Sequence, residues 1–172
     1  MIVKAIDENE FSSVYKLMQK SFPPVEFRTY EEELALFHCP NYTVLGIGEE
    51  GAMQAFIAEW VLSEVHFIEH FAVNPDIRGK GLGTRIMREY LKHRKTPVVL
   101  EVEATGSQIA KRRIGFYKRL GFGLSKIEYL QPSLQKTPQE VFLRLMHYPA
   151  ELSNEILCKA KHEIFQTVYD LH

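Results

Sequence analysis

The run Arg78-Gly79-Lys80-Gly81-Leu82-Gly83 carries the strongest chemical signal in this sequence. It follows an apolar stretch and opens an amphipathic one. Glycine accepts backbone angles that other residues avoid, so successive N–H groups can point inward, beside the positive end of the next helix dipole. A phosphate or pyrophosphate fits such a turn. Two common phosphate loops are excluded by spacing. G-x-G-x-x-G counted from Gly79 needs glycine where Thr84 stands, and counted from Gly81 it needs glycine where Ile86 stands. No G-K-[ST] completes a P-loop. By itself the turn also reads as a surface loop with solvated Arg78 and Lys80. A second chemical candidate is Glu69, which alternates with Phe67, Phe71 and Val73 and so shares an apolar strand face with them. Burial there raises a carboxyl pKa toward the range of a proton acceptor.

The turn matches R-x-x-G-x-G, and the match extends on both sides. Upstream, His66-Phe67-Ile68-Glu69-His70-Phe71-Ala72-Val73-Asn74-Pro75-Asp76 resembles the strand and "AV-x-P" lead of the GNAT superfamily of acetyl-CoA-dependent N-acetyltransferases. Downstream, Gly115-Phe116-Tyr117-Lys118-Arg119-Leu120-Gly121-Phe122 resembles that family's "FY-x-(K/R)-x-GF". The two motifs stand in the right order with a helix and a strand between them.

The resemblance implies a splayed, mostly antiparallel sheet with helices on both faces, whose gap admits the pantetheine arm of acetyl-CoA. It implies that backbone groups of Phe71, Ala72 and Val73 pair with the pantetheine amides. Arg78 and the amides of Gly79, Lys80, Gly81, Leu82, Gly83 and Thr84 would hold the pyrophosphate. Tyr117 falls at the position of the family's general acid, which protonates the departing thiolate. With ordinary pKa values of about 10 and 8.5 that transfer is slightly uphill. Glu101 sits where some relatives carry a strand glutamate as base, with Glu103 on the same face. The alternative for either glutamate is a structural ion pair with Arg112 or Arg113. The family often has Asn seven and Ala four residues before the Tyr; here Ala110 and Arg113 stand there, and the loop at 105–108 is longer. That departure keeps a second reading open, an acyl-CoA-binding sensor without transfer; a nucleotide-binding module is disfavoured by the loop spacings.

The elements that must position these residues follow from periodicity. Phe11, Val14, Met18 and Phe22 recur at helical spacing until Pro23-Pro24, and 29–37 forms a second short helix. Residues 42–48 and 52–62 make a hairpin about the turn 49–51, and His66–Val73 is a third strand. Leu82, Ile86, Met87, Tyr90 and Leu91 share a helix face; 97–103 is a strand, 109–120 a helix, and Gly123–Leu130 and 141–146 are strands. Ser153 caps a last helix with Ile156, Ala160, Ile164 and Val168 on one stripe. This order gives a mixed α/β (α+β) sheet covered on both faces. Residues 1–172 are expected to form one acetyltransferase domain, with 150–172 a helical tail packed on it.

The 172 residues carry a net charge of −1, which argues against a nucleic-acid partner. No apolar run approaches the ~20 residues of a membrane span, and MIVKAIDENE lacks a signal peptide's regions. Cys39 and Cys158 are too few for a disulfide framework and lack metal spacing, which suits reduced thiols in a cytoplasmic protein. His66 and His70 are expected on one strand face about 13 Å apart, too far for one metal, and no metal is expected. Trp60 reads as core, and Glu31-Glu32-Glu33 as a solvated helix start. The acceptor is expected to be a small-molecule or peptide amine, in a pocket bordered by 22–28 with Glu26 and, close by, Glu31 to Glu33; if Glu69, Glu101 and Glu103 also face it, the site is acidic and partly apolar. The sequence is also compatible with a homodimer.

Overall fold

The computed structural model describes residues 3–49, 52–104, 106–132, 134 and 140–169. The expected turn at 49–51 and the loop at 105–108 include residues 50, 51 and 105, and the tail at 150–172 includes 170–172, all outside the described residues. Strands β1 (Val3–Ala5), β2 (Tyr42–Glu49), β3 (Ala52–Val61), β4 (His66–Val73), β5 (Val98–Glu103), β6 (Gly123–Leu130) and β7 (Phe142–Tyr148) form one sheet in the order β1-β2-β3-β4-β5-β7-β6. Only β4 and β5 run parallel.

Helices cover both faces. On one face α1 (Phe11–Ser21), α2 (Tyr30–Ala35) and α5 (Asn154–Ile164) close over Phe56, Ala58, Trp60, Phe67 and Val99. On the other, α3 (Leu82–Lys92) and α4 (Gln108–Arg119) cover Ile57, Ile68, Leu100 and Val102. The helix starts are capped locally: the side chains of Thr29, Ser107 and Ser153 each accept a backbone N–H of the first turn. Thr29 and Glu32 complete a capping box. The last strand runs two residues beyond its expected end, to Tyr148.

One irregularity organises the centre of the sheet. Ala58 pairs with His70 but Glu59 pairs with Ile68, so Glu69 is an extra residue in β4, a β-bulge. The bulge breaks the two-residue phase. Glu69 therefore does not share a face with Phe71 and Val73, as alternation predicts: Phe67 and Ala72 belong to the α1/α5 face, Phe71 and Val73 to the α3/α4 face. His66 and His70 likewise part company. His66 meets Glu59 on the α3 side, whereas His70 packs on Phe22 at the end of α1.

Just past the bulge the sheet opens. The β4–β5 ladder consists of His66↔Val98, Phe67↔Val99 and Ile68↔Leu100, and goes no further. From Glu69 to Val73 no described strand pairs with the edge of β4 that faces β5.

The bulge carboxylate is anchored from two sides. Glu69 Oε1 accepts from Arg28 Nη1 at 2.7 Å and Oε2 from Trp60 Nε1 at 2.7 Å. Arg28, itself 0% exposed, also donates through Nη2 to the Val168 carbonyl at 2.8 Å and through Nη1 to Glu33 at 3.4 Å. The partner of Glu69 is thus Arg28, not Arg112 or Arg113. Glu33, expected on a solvated helix start, is 0% exposed; it turns inward because its carboxylate also accepts the Arg28 backbone N–H. Burial and the nearby Glu69 push the Glu33 carboxyl above its ordinary range. Burial acts in the same sense on Glu69, yet the attraction of Arg28 and His70 and the bonds from Trp60 and Arg28 hold it below.

Removing Arg28 would leave two carboxylates buried without a cation. Arg28→Met should lower unfolding free energy by about 3–5 kcal/mol. Glu33→Gln keeps an oxygen for the Arg28 backbone N–H and leaves Arg28 paired with Glu69, so it should cost less, about 1 kcal/mol. Urea unfolding checks both; equal losses would show that Arg28 is not the hub.

Candidate active site

The gap between β4 and β5 opens into a cleft of about 690 Å³. One wall is the unpaired edge at Phe71, Ala72 and Val73, and the floor is the turn with Arg78, Gly79, Gly81, Leu82, Gly83 and Thr84. Gly79 and Gly81 have φ of +89° and +70°, and a Cβ at either would meet nothing within 4 Å, so glycine is needed there for backbone conformation rather than for space. Gly83 differs: a Cβ there would make ordinary contacts with Val73 and Phe116 at 3.5 and 3.6 Å, so neither space nor backbone requires glycine. The backbone N–H groups from Gly79 to Thr84 donate to no described residue, and the last three open helix α3. Such a row fits a phosphate-bearing ligand. Arg78 is fixed at the rim by a 2.9 Å bond from Nε to the Val73 carbonyl. Lys80 is exposed and lies off the cleft wall.

Helix α4 forms the opposite wall with Ile109, Arg112, Arg113, Phe116 and Tyr117. Tyr117 is 7% exposed, with the rings of Phe116 and Phe122 at 5.1 and 5.3 Å. Its hydroxyl bonds to no described residue. Burial pushes this phenol up to about 12, with only Arg113 pulling the other way.

A second, smaller space of about 50 Å³ adjoins the first, with Arg113 lining both. Glu26, Glu69, His70, Glu101 and Glu103 border it. Glu101 Oε1 accepts from Tyr129 at 2.6 Å and Oε2 from Tyr169 at 2.5 Å. Burial raises its carboxyl, and although the two tyrosine bonds work against that rise, it stands at about 7. Burial also raises Glu26, Arg113 draws it back, and the neighbouring Glu103 adds a further upward push. His70 offers Nε2 to the Glu26 carbonyl at 2.8 Å, while its buried Nδ1 meets no partner.

Of the residues expected at the site, Glu101 and Glu103 line the small pocket, and Tyr117 and the glycine turn line the cleft that adjoins it. Glu69, also expected there, borders the small pocket but spends both oxygens on Arg28 and Trp60. The analysis missed Arg28, Tyr129 and Tyr169. Arg28 left one trace, a lone cation in the apolar run 22–30. Tyr169 is delivered by a π-helical turn, Phe165–Tyr169, which turns both Val168 and Tyr169 inward after Ile164. A strict helical stripe predicts Val168 alone.

Comparison with known proteins matches this geometry. The family profile described as the acetyltransferase (GNAT) family matches residues 11–122. A GNAT-family acetyltransferase structure from Bacteroides thetaiotaomicron is 30% identical over 98% of both chains, with a TM-score of 0.88. The chain therefore belongs to the GNAT family of acetyltransferases, and is an acyltransferase. Two further structures share the fold. The ribosomal-protein-S18-alanine N-acetyltransferase of Escherichia coli is 21% identical, with 90% of this chain and 96% of that one covered and a TM-score of 0.65. Arabidopsis thaliana NAA60, solved in complex with acetyl-CoA, is 14% identical, with 86% and 97% covered and a TM-score of 0.66. No curated protein sequence matches the chain.

Glu101 makes a testable site independent of turnover. Its folded value of about 7 stands above the ordinary 4.5, so the fold binds its proton more tightly than the unfolded chain does. Its stabilising contribution is then full below about pH 4.5 and lost as pH rises through about 7. Between pH 4.5 and 8 the wild type should lose up to about 3 kcal/mol relative to Glu101→Gln. Denaturant unfolding at several pH values checks this; a pH-independent difference would remove Glu101 from the titrating groups.

Proposed function

We propose that this chain transfers an acetyl group from acetyl-CoA to an amine by direct attack, with Tyr117 as general acid and Glu101 as general base. The observation that carries the reading is the opening beside β4, where the glycine turn, the strand edge at 71–73 and Tyr117 line one cleft. Glu101 lies in the pocket behind it. The residues fit the donor: the amides of 79–84 with Arg78 suit a pyrophosphate, and the edge at 71–73 suits the amides of an extended arm.

The chemistry divides between the two sides. The amine nitrogen attacks the acetyl carbonyl carbon, the carbon–sulfur bond breaks, and its electron pair leaves on sulfur. Backbone N–H groups on the open edge of β4 stabilise the oxyanion that forms on the way. Tyr117 passes its proton to sulfur. Glu101 takes the proton released by the amine, and exchange through solvent restores both groups. A carboxyl near 7 is matched to that work at neutral pH. Glu69, ionised and held by Arg28 and Trp60, keeps the bulge in place instead. The carboxylates of Glu26, Glu101 and Glu103 favour a primary amine or a lysine-like side chain over an acidic acceptor.

One set of measurements tests the reading. Calorimetry should show CoA binding to the wild type and a loss of more than about fiftyfold in Gly81→Asp, which sets a carboxylate against the phosphate site. Tyr117→Phe should lower kcat about ten- to a thousandfold with CoA affinity nearly unchanged. Glu101→Gln should remove the acidic limb of kcat/KM. An amine panel should favour polyamines and aryl-alkylamines over glutamate and aspartate. Unaltered CoA binding in Gly81→Asp would overturn the donor site, and an unchanged kcat in Tyr117→Phe the acid.

A further inference from the structure

Proton transfer from Tyr117 leaves a negative charge on its oxygen, inside a shell of aromatic rings. Phe116 and Phe122 lie at 5.1 and 5.3 Å, and Phe116 stacks in turn on Phe71 at 6.3 Å. None of these rings can hold an anion, and no described residue bonds to the hydroxyl. A phenolate buried in such surroundings needs a cation nearby.

Arg113 is placed to be that cation. It stands one turn before Tyr117 on α4, and residues four apart on a helix share a face with Cβ atoms about 5–6 Å apart. Helical side chains lean toward the N-terminus, so the tyrosine ring lies back over the turn that carries Arg113. Both residues line the same cleft. Arg113 makes no ion pair or hydrogen bond with any described residue. That is unusual for a half-buried guanidinium with Glu26 and Glu103 across the adjoining pocket. Arg113 draws the Glu26 carboxyl down across that pocket, and its guanidinium acts on Tyr117 from the same position. Among the charges near Tyr117, Arg113 alone acts to ease loss of its proton.

We propose that Arg113 is the charge partner of Tyr117, a positioning residue whose guanidinium balances the negative charge left on the phenolic oxygen as the proton moves to the departing sulfur. The step is balanced as before: the Tyr117 O–H bond breaks with its electrons remaining on oxygen, an S–H bond forms on the sulfur lone pair, and solvent later returns the proton. This rests on the assignment of Tyr117 as general acid, and it gives the Arg at this position a task that its neighbours Arg112 and Lys111 do not share. Neither acts on Tyr117, and Lys111 lies off the cleft wall.

The test is a double-mutant cycle in the full chain, read by thiol release from acetyl-CoA with one reactive amine. Arg113→Ala should lower kcat about ten- to a hundredfold while the dissociation constant of acetyl-CoA stays within about threefold, which also reports an intact fold. Arg113→Lys should recover most of the loss, and added guanidinium ion should partly restore Arg113→Ala. On a Tyr117→Phe background, Arg113→Ala should cost less than about threefold more, because the charge it balances no longer forms. A kcat within threefold of wild type, multiplicative effects in the cycle, or a change confined to the KM of the amine would each overturn the proposal. The last would make Arg113 an acceptor contact. If Tyr117→Phe alone leaves kcat unchanged, the general-acid assignment fails and takes this one with it; a damaging Tyr117→Phe beside a silent Arg113→Ala overturns the Arg113 role only.

Discussion

The single extra residue at Glu69 is the constraint on which the rest of the molecule turns. An inserted residue reverses the face of every side chain beyond it, so a bulge in a central strand survives only where the shifted groups are satisfied. Here the shift puts two polar residues in succession, Glu69 and His70, against the α1/α5 core. Arg28 and Trp60 satisfy the first, and the Glu26 carbonyl and the Phe22 ring receive the second. The same shift returns Phe71 and Val73 to the cleft side. The parallel ladder to β5 ends one residue before the bulge. Ion pair, bulge and open sheet are therefore one structural unit.

The two carboxylates nearest the chemistry illustrate how surroundings divide roles between identical groups. Both Glu69 and Glu101 are taken from water, which by itself raises a carboxyl pKa. Glu69 has a guanidinium at 2.7 Å and is held below its ordinary range; Glu101 has hydroxyl donors instead and is raised to about 7. Hydroxyls stabilise a carboxylate less than a full positive charge does. A proton acceptor at neutral pH is better made from tyrosines than from arginine.

Local signals were legible and distant ones were not. The glycine turn, the proline stops and the cap at Ser153 depend on a few neighbouring residues, and the helix starts fell within two residues of where those signals put them. The same holds for the turn's place in the site, since its backbone geometry is written in its own glycines. The bulge was invisible because alternation in 66–73 continues unbroken in the letters; only the register against β3 reveals it. Glu33 was misplaced for a related reason: three glutamates in a row look solvated until a buried arginine five residues away selects one. Tyr169 was missed because its inward turn needs a π-helical step that no helical stripe encodes.

Glu101 is synthesised long before the residues that complete its surroundings. Its two hydroxyl donors come from Tyr129 and Tyr169, and Arg28 reaches its last acceptor only at Val168. A chain grown through β7 already holds both donors to Glu69 and the Tyr129 hydroxyl, and lacks only the Tyr169 donor to Glu101 and the Val168 carbonyl. The final turn then closes the core and sets the carboxylate environment together. A chain stopped short of residue 169 would lack the Tyr169 hydroxyl on Glu101, so the surroundings of the proposed proton acceptor are completed only by that last turn.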